Sequence, residues 1–273
     1  REKAPGLSTT DMYLDESGDV KKGLSEKGHL SSGVPGSVAG MFESHSRHGS
    51  LRWEELVQPA IDLALTGFPL TRRQANSLNH LQDTLRRYNT IMPEFLIREE
   101  WNEGDTIVWE DLGHTLELIR DHGAAGFYTG KTADNIVAEM KRGNGLISHE
   151  DLRAYQPVWR EPVVGNYKGY SIISMGPPSS GGIALIQLFN SVEKFPLKEW
   201  GHNSAAMIHL KTEAEPRVYA DRAAWLGDPD FFKVPITELT DKSYSQKRML
   251  SFDLQKATAS SDIREGLPVQ AES

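Results

Sequence analysis

An α+β chain, mostly helical with a few strands, is what this sequence predicts. Five stretches of helical periodicity follow one another between Pro35 and Asn144. One β-like alternation, Val163 to Met175, is hemmed in by turn residues, and a long periodic run from Ala205 to Trp225 follows it.

Residues 1 to 33 are rich in Gly, Ser, Asp and Lys, and Met12-Tyr13-Leu14 before Asp15-Glu16-Ser17-Gly18 reads as a short strand and turn. Helix then begins at Pro35 or Gly36, carries Val38, Met41, Phe42 and His45 on one face, and stops at Gly49. Ser50 is the expected N-cap of a second helix, with Glu54 and Glu55 in its first turns and Leu56, Val57, Ala60, Ile61 and Ala64 before the stop at Gly67. Pro59 lies mid-helix and predicts a kink. Thr71 caps a third helix bearing Ala75, Leu78, Leu81, Leu85 and Tyr88; Ile107 to Trp109 is a short strand. Leu112, Leu116 and Ile119 mark a fourth helix ending at His122-Gly123. Ala133, Ile136, Val137 and Met140 mark a fifth, ending at Gly143-Asn144-Gly145.

Val163 to Met175 predicts a hairpin turning at Gly165-Asn166. A buried helix covers Ile183 to Val192, and Ala205 to Trp225 forms a long helix with Ile208, Leu210, Tyr219 and Ala220, bent at Pro216. Ala257 to Ser273 shows no periodicity and reads as an extended or poorly ordered end. No internal repeat or linker divides residues 1 to 273, so a single domain is expected.

Composition narrows the function classes. An apolar fraction of 38% with 25% charged residues belongs to a soluble globular protein. The net charge of −8 provides no electrostatic footprint for nucleic acid or an anionic membrane. Zero cysteines exclude disulfides, thiolate metal sites and a cysteine nucleophile. The longest uncharged run, Gly169 to Val192, is broken at its centre by Gly176-Pro177-Pro178-Ser179-Ser180-Gly181-Gly182 into pieces too short to span a membrane. No signal peptide is visible behind Arg-Glu-Lys-Ala-Pro.

Several motifs invite chemistry. AGFYTGKT, residues 125 to 132, has the outline of a nucleotide-triphosphate loop, with Ala125 where the consensus has glycine. A phosphate loop needs a buried strand before it, whereas Asp111 to His122 is an amphipathic helix. Phe127, Tyr128 and Thr129 also occupy positions where backbone must approach phosphate. The better reading is an interhelical turn with Phe127 as a core plug. His45 and His48 have metal-ligand spacing but lack a third ligand nearby in sequence, so surface histidines are expected. Asp228-Pro229-Asp230 reads as an Asx turn after a helix stop rather than a calcium site. Ser179 and Ser180 lack a nucleophile-elbow pattern and are expected to N-cap the helix from Gly181.

Several stretches together resemble one family, the γ-glutamyltransferases (γ-glutamyltranspeptidases) among the N-terminal nucleophile hydrolases. They are REKAP with DMYLD at 1 to 15, GVPGSVAGM at 33 to 41, HGSLRWEELVQPAIDLA at 48 to 64, GAAGFYTGKTADNIVAEM at 123 to 140, GLISHEDLRAYQPVWREPVVGNYKGYSIISMGPPSSGG at 145 to 182 and EAEPRVYADRAAWLGDPDF at 213 to 231. Their order and spacing look like the C-terminal two-thirds of that family's large subunit.

The resemblance implies an αββα sandwich in the intact protein, to which this chain contributes helical layers and an edge of sheet. It implies a precursor that cuts itself, a heterodimer with the small subunit of the same precursor, and no cofactor. A threonine leading the small subunit would take a γ-glutamyl group from donors such as glutathione and pass it to water or an amine. By the same resemblance Arg1 holds the donor's α-carboxylate. The Thr-Thr-His-like stretch that opens the family's small subunit occurs nowhere in this sequence, so no catalytic residue is expected in this chain, and this chain is expected to be inactive alone. Ala271-Glu272-Ser273 looks like the region just upstream of the cut, and family habit implies a periplasmic or secreted enzyme. Pro216 departs from the family, whose long helix has an ordinary helix former there. A cephalosporin or glutaryl acylase-like relative, or a non-catalytic helical interaction protein, are the alternatives.

Overall fold

A computed structural model describes residues 2–266, the side chain of Glu94 excepted. The chain divides into two compact units, Arg1–Val158 and Trp159–Ser273.

The first unit is helical. After the Leu14↔Val20 bridge and its Asp15-capped turn come α1 (Ser37–His48) and α2 (Trp53–Thr66). α1 is bounded by Gly36 and Gly49 as its spacing predicts. α2 begins three residues beyond Ser50, with Arg52 at its N-cap, and places Glu54 and Glu55 where the helix dipole favours them. It continues through Pro59, whose exposed position leaves water to satisfy the carbonyl deprived of a donor. β1 (Phe68–Pro69) then leads to α3 (Arg72–Tyr88). Thr71 closes a capping box there: its hydroxyl accepts the Gln74 N–H at 3.3 Å and its own N–H donates to Gln74 Oε1 at 2.9 Å.

β2 (Thr106–Ile107) pairs antiparallel with β1 and precedes α4 (Glu110–His122), which packs along α2. Trp53 joins the two helices by donating its indole N–H to the Ile119 carbonyl at 2.9 Å. α5 (Ala125–Tyr128), α6 (Gly130–Arg142) and α7 (His149–Ala154) complete the unit.

The second unit opens with an antiparallel hairpin, β3 (Val163–Tyr167) and β4 (Tyr170–Ser174). Its turn is Lys168-Gly169, with φ of 49° and 87°, not the Gly165-Asn166 that the sequence suggests. Two consecutive left-handed residues match the twist of a hairpin. Gly165 serves packing instead, because a Cβ there would meet the Ile186 side chain at 2.8 Å. Next come α8 (Gly181–Val192), α9 (Leu197–Trp200), α10 (Ala205–Trp225), α11 (Ile236–Leu239) and α12 (Lys242–Arg248). Val163 of the hairpin, Ile183, Ile186 and Leu239 form one apolar core, while Leu210, Ala214 and Met249 form another beside it.

α10 runs from Ala205 to Trp225 without a break at Pro216. Leu210, Ala214 and Val218 are buried as apolar residues, Ile208 and Tyr219 are half exposed, and the rest of the inward face is Glu213, Arg217 and Asp221. Residues 257 to 266, read from sequence as an extended or poorly ordered end, contain a short turn at Ser260–Asp262 and are tied to this face.

Candidate functional site

Arg1, the one substrate-binding residue that the sequence offers, lies outside the described residues, but the backbone that follows it is well anchored. Lys3 and Val34 exchange backbone hydrogen bonds of 3.2 and 2.8 Å. Pro5 is buried, and the Gly6 N–H donates to Asp151 Oδ1 at 2.7 Å. Asp151 is itself the third residue of α7, where it closes a capping box with Ser148. Burial raises its pKa, yet the Ser148 hydroxyl and the Gly6 N–H outweigh that and hold the carboxyl below its ordinary range.

Beneath this segment sits one core built from stretches far apart in sequence: Val34, Ala39, Tyr128, Ala133, Val137, Ile147, Leu152 and Tyr155. Tyr128 is its hub. Its ring stacks on Tyr155 with centroids 5.5 Å apart, and its hydroxyl donates to the Pro35 carbonyl at 2.7 Å and accepts the Ala39 N–H at 3.4 Å. Burial pushes the phenol up, with the Ala39 N–H opposing, so it stays a neutral donor.

AGFYTGKT therefore acts as packing. It forms α5 and the start of α6 between helices, and the buried plug is Tyr128 rather than Phe127, which is only half-buried. Gly126 is needed because a Cβ would lie 2.0 Å from the Leu118 carbonyl oxygen of α4. Thr132 turns its hydroxyl back to the Gly126 carbonyl at 2.8 Å.

In the second unit, sequence reading missed a buried polar cluster on α10. Glu213, Arg217 and Asp221 recur every four residues and are 4%, 3% and 1% exposed. Arg217 Nη1 donates to Glu213 Oε2 at 2.8 Å, and Glu213 accepts both the N–H and the hydroxyl of Thr258 at 2.7 Å. Burial raises the Glu213 carboxyl, but Thr258 and Arg217 together bring it below its ordinary value. Asp221 accepts the Gly266 N–H at 2.7 Å and the Tyr244 hydroxyl at 2.9 Å, and pairs with Arg248 at 3.1 Å. Burial, then the Asp221 charge, drives the Tyr244 phenol well above its ordinary value. The signal available in the sequence was the alternating-sign spacing itself, which on its own reads as a solvated face.

The stretches that meet around the Arg1 segment are those of a single family: a γ-glutamyltranspeptidase family model matches residues 1–272. This chain belongs to the γ-glutamyltranspeptidase family. It is 42% identical over 270 residues to the glutathione hydrolase proenzyme of Escherichia coli (strain K12), covering 97% of this chain and 46% of that relative. A more distant relative, the acylase ACY 1 proenzyme of Pseudomonas sp. (strain SE83), is 34% identical over 261 residues, covering 93% of this chain and 47% of its own length. The chain thus spans about half the length of these relatives. Among solved structures, the Helicobacter pylori γ-glutamyltranspeptidase superposes with a TM-score of 0.93 at 41% identity, covering 100% of this chain and 79% of that one. The helical layers and short ribbons described above are thus the fold of that N-terminal nucleophile hydrolase family.

As a γ-glutamyltranspeptidase family member, the chain uses its other candidate residues structurally. His45 donates its Nε2–H to the Leu51 carbonyl (2.8 Å) and lies against Trp53. Among the described residues, no group of three His, Asp or Glu side chains is placed to hold a metal ion. Asp228 forms the expected Asx turn, accepting the Asp230 N–H at 3.1 Å, while Asp230 pairs with Arg160 at 2.6 Å. Ser180 stands at the N-cap of α8 without capping it: its hydroxyl accepts Arg222 Nε at 2.9 Å, and Ser179 takes the Gly181 N–H at 3.3 Å. Among the described residues, no helix is long and apolar enough to cross a membrane.

Proposed function

We propose that this chain is the large-subunit portion of a γ-glutamyltransferase or glutathione hydrolase, acting as a heterodimer with the small subunit of the same precursor. The observation that carries the reading is the match of nearly the whole chain to the glutathione hydrolase proenzyme of Escherichia coli. The intact protein is an αββα sandwich in the periplasm or outside the cell. The small subunit's leading threonine attacks the γ-glutamyl carbonyl, its own α-amine takes the hydroxyl proton, and the resulting ester passes to water or an acceptor amine. Arg1 grips the α-carboxylate of a glutathione-like donor with the two-pronged geometry that a lysine lacks.

The test uses the full-length precursor. Intact-mass analysis should find a second polypeptide led by threonine, and the processed enzyme should release the chromophore from a γ-glutamyl anilide. Arg1→Lys should raise KM for that donor roughly ten- to hundredfold, the loss of a charged hydrogen bond. An unchanged KM removes Arg1 from the donor site. No threonine-led chain and no turnover favour a non-catalytic helical protein.

The 34% identity to the acylase ACY 1 proenzyme supports a second reading, in which the same scaffold accepts a glutaryl or cephalosporin acyl group. A donor bearing an α-carboxylate, as Arg1 implies, separates the two: faster turnover of a glutaryl amide than of its γ-glutamyl counterpart would favour the acylase.

A further inference from the structure

We infer that the buried charges of α10, Glu213, Arg217 and Asp221, are positioning residues for self-cleavage of the precursor, because they fix the segment that leads toward the cut. The inference rests on the proposed reading, in which the scissile bond lies C-terminal to this segment.

The segment is held at both ends. Thr258 gives its N–H and its hydroxyl to the two oxygens of Glu213, and also accepts Arg217 Nη2 at 3.3 Å. Eight residues later Gly266 gives its N–H to Asp221 and receives the Trp225 indole N–H on its carbonyl at 2.8 Å. Arg248, paired with Asp221, donates to the carbonyls of Arg217 and Arg264 at 3.1 and 2.6 Å and so ties helix and segment between those ends. Eight residues of helix advance about 12 Å, whereas eight residues of extended chain reach about 26 Å. The segment is therefore gathered in, with the turn at Ser260–Asp262 taking up slack, and its end is delivered to a defined place.

Packing alone does not call for this chemistry. Apolar side chains of similar volume fill a helix face at no desolvation cost, and a buried ion network is retained for the specificity of what it holds. Here each carboxylate accepts from the backbone of the segment as well as from a neighbouring cation, so both acids lose a partner if the segment departs.

Self-cleavage needs such placement. The side-chain hydroxyl of the residue after the bond adds to the preceding carbonyl carbon. The C–N bond then breaks as the hydroxyl proton passes to the departing nitrogen, leaving an ester and a free amine. Water opens the ester, returning the hydroxyl and leaving a carboxylate on the large subunit, and no other reactant is consumed. The hydroxyl and carbonyl are neighbours in the chain, so what the first step requires is that the scissile peptide be held against groups that polarise its carbonyl and move the hydroxyl proton, a placement a free tail visits rarely.

The experiment follows processing of purified full-length precursor by gel and intact mass, together with turnover of a γ-glutamyl anilide per cleaved molecule. Glu213→Gln and Thr258→Val should slow processing about ten- to hundredfold, as the loss of charge-assisted contacts predicts. Thr258→Ser, which keeps the hydroxyl, should process at close to the parent rate. Once cut, all three should turn over within about twofold of the parent, since the loss is in placement before cleavage and not in acyl transfer. Parent-like processing in Thr258→Val overturns the inference, as does a loss of turnover per cleaved molecule that parallels the loss of processing. Thr258 is only half-buried, so its variants keep the test open if Glu213→Gln does not fold. A parent precursor that never cuts itself overturns the proposed reading, and this inference with it.

Discussion

Gly126→Ala is a small change with a large expected effect, and it measures how tightly the α4–α6 layer is packed. The added Cβ would stand 2.0 Å from the Leu118 oxygen, 2.3 Å from the Leu118 carbonyl carbon and 2.8 Å from the Ile119 nitrogen. All three are backbone atoms of α4, so no side-chain rotation relieves the clash, and the last turn of that helix must shift by about 1 Å. Overpacking of this kind costs about 1–3 kcal/mol, against which alanine recovers up to about 1 kcal/mol of helix propensity in α5. A backbone clash on all three atoms belongs at the upper end, leaving a net loss of about 2 kcal/mol.

Amide hydrogen exchange over α4, α5 and α6 is the suitable assay, because it reads this layer even where a large protein does not unfold in one step. A loss of about 2 kcal/mol corresponds to roughly thirtyfold faster exchange of the protected amides there. Gly130→Ala is the control. Gly130 has a φ of 61° but nothing within 4 Å of its would-be Cβ, so only the backbone penalty of about 1 kcal/mol applies. Protection in Gly126→Ala equal to the parent's would refute the argument that this glycine is there for helix contact.

Tyr128→Phe should keep the stack on Tyr155 but strand the Pro35 carbonyl and the Ala39 N–H, weakening the first unit by about 1–2 kcal/mol in the same exchange measurement. Glu139 should make the first unit acid-sensitive. Burial raises its carboxyl, but hydrogen bonds from Thr90, His29 and Arg142 carry it from 4.5 down to about 2. Because the folded value is depressed, its contribution is complete above pH 4.5 and disappears as pH falls toward about 2; Glu139→Gln should flatten the pH dependence of urea midpoints across that window. At the hairpin, Gly169→Ala should cost about 1 kcal/mol for its left-handed φ, whereas Lys168→Asn should be neutral or stabilising by a few tenths. Amide exchange over β3 and β4 checks both, and parent-like protection in Gly169→Ala would overturn the turn assignment.

Much of the local structure was legible from residues alone. Glycine at 36, 49 and 67 and threonine at 71 mark helix ends because caps and stops are chosen by neighbours within a turn. The family was legible too, since its markers are contiguous stretches. Ser50 misled about the start of α2 because a capping residue carries no record of whether the next residues turn at once.

What needed the tertiary structure was the choice among chemically acceptable partners. Periodicity places Ile208, Leu210, Tyr219 and Ala220 in one helix without saying which charges it buries, and the helix turns Glu213, Arg217 and Asp221 inward because residues 258 to 266 and Arg248 arrive to satisfy them. Gly165-Asn166 is a good turn by composition, but Ile186 requires a glycine inside the strand, and Lys168-Gly169 makes the bend. Ser180 has the chemistry of a cap and gives its oxygen to Arg222 instead. The residues by themselves therefore determined the longer helices, several of their ends and the kinship, which depend on interactions a few positions long. The buried cluster of α10, the hub at Tyr128 and the anchoring of the Arg1 segment depend on contacts between residues 23 to 145 positions apart, and only the folded chain decides which of those meetings occur.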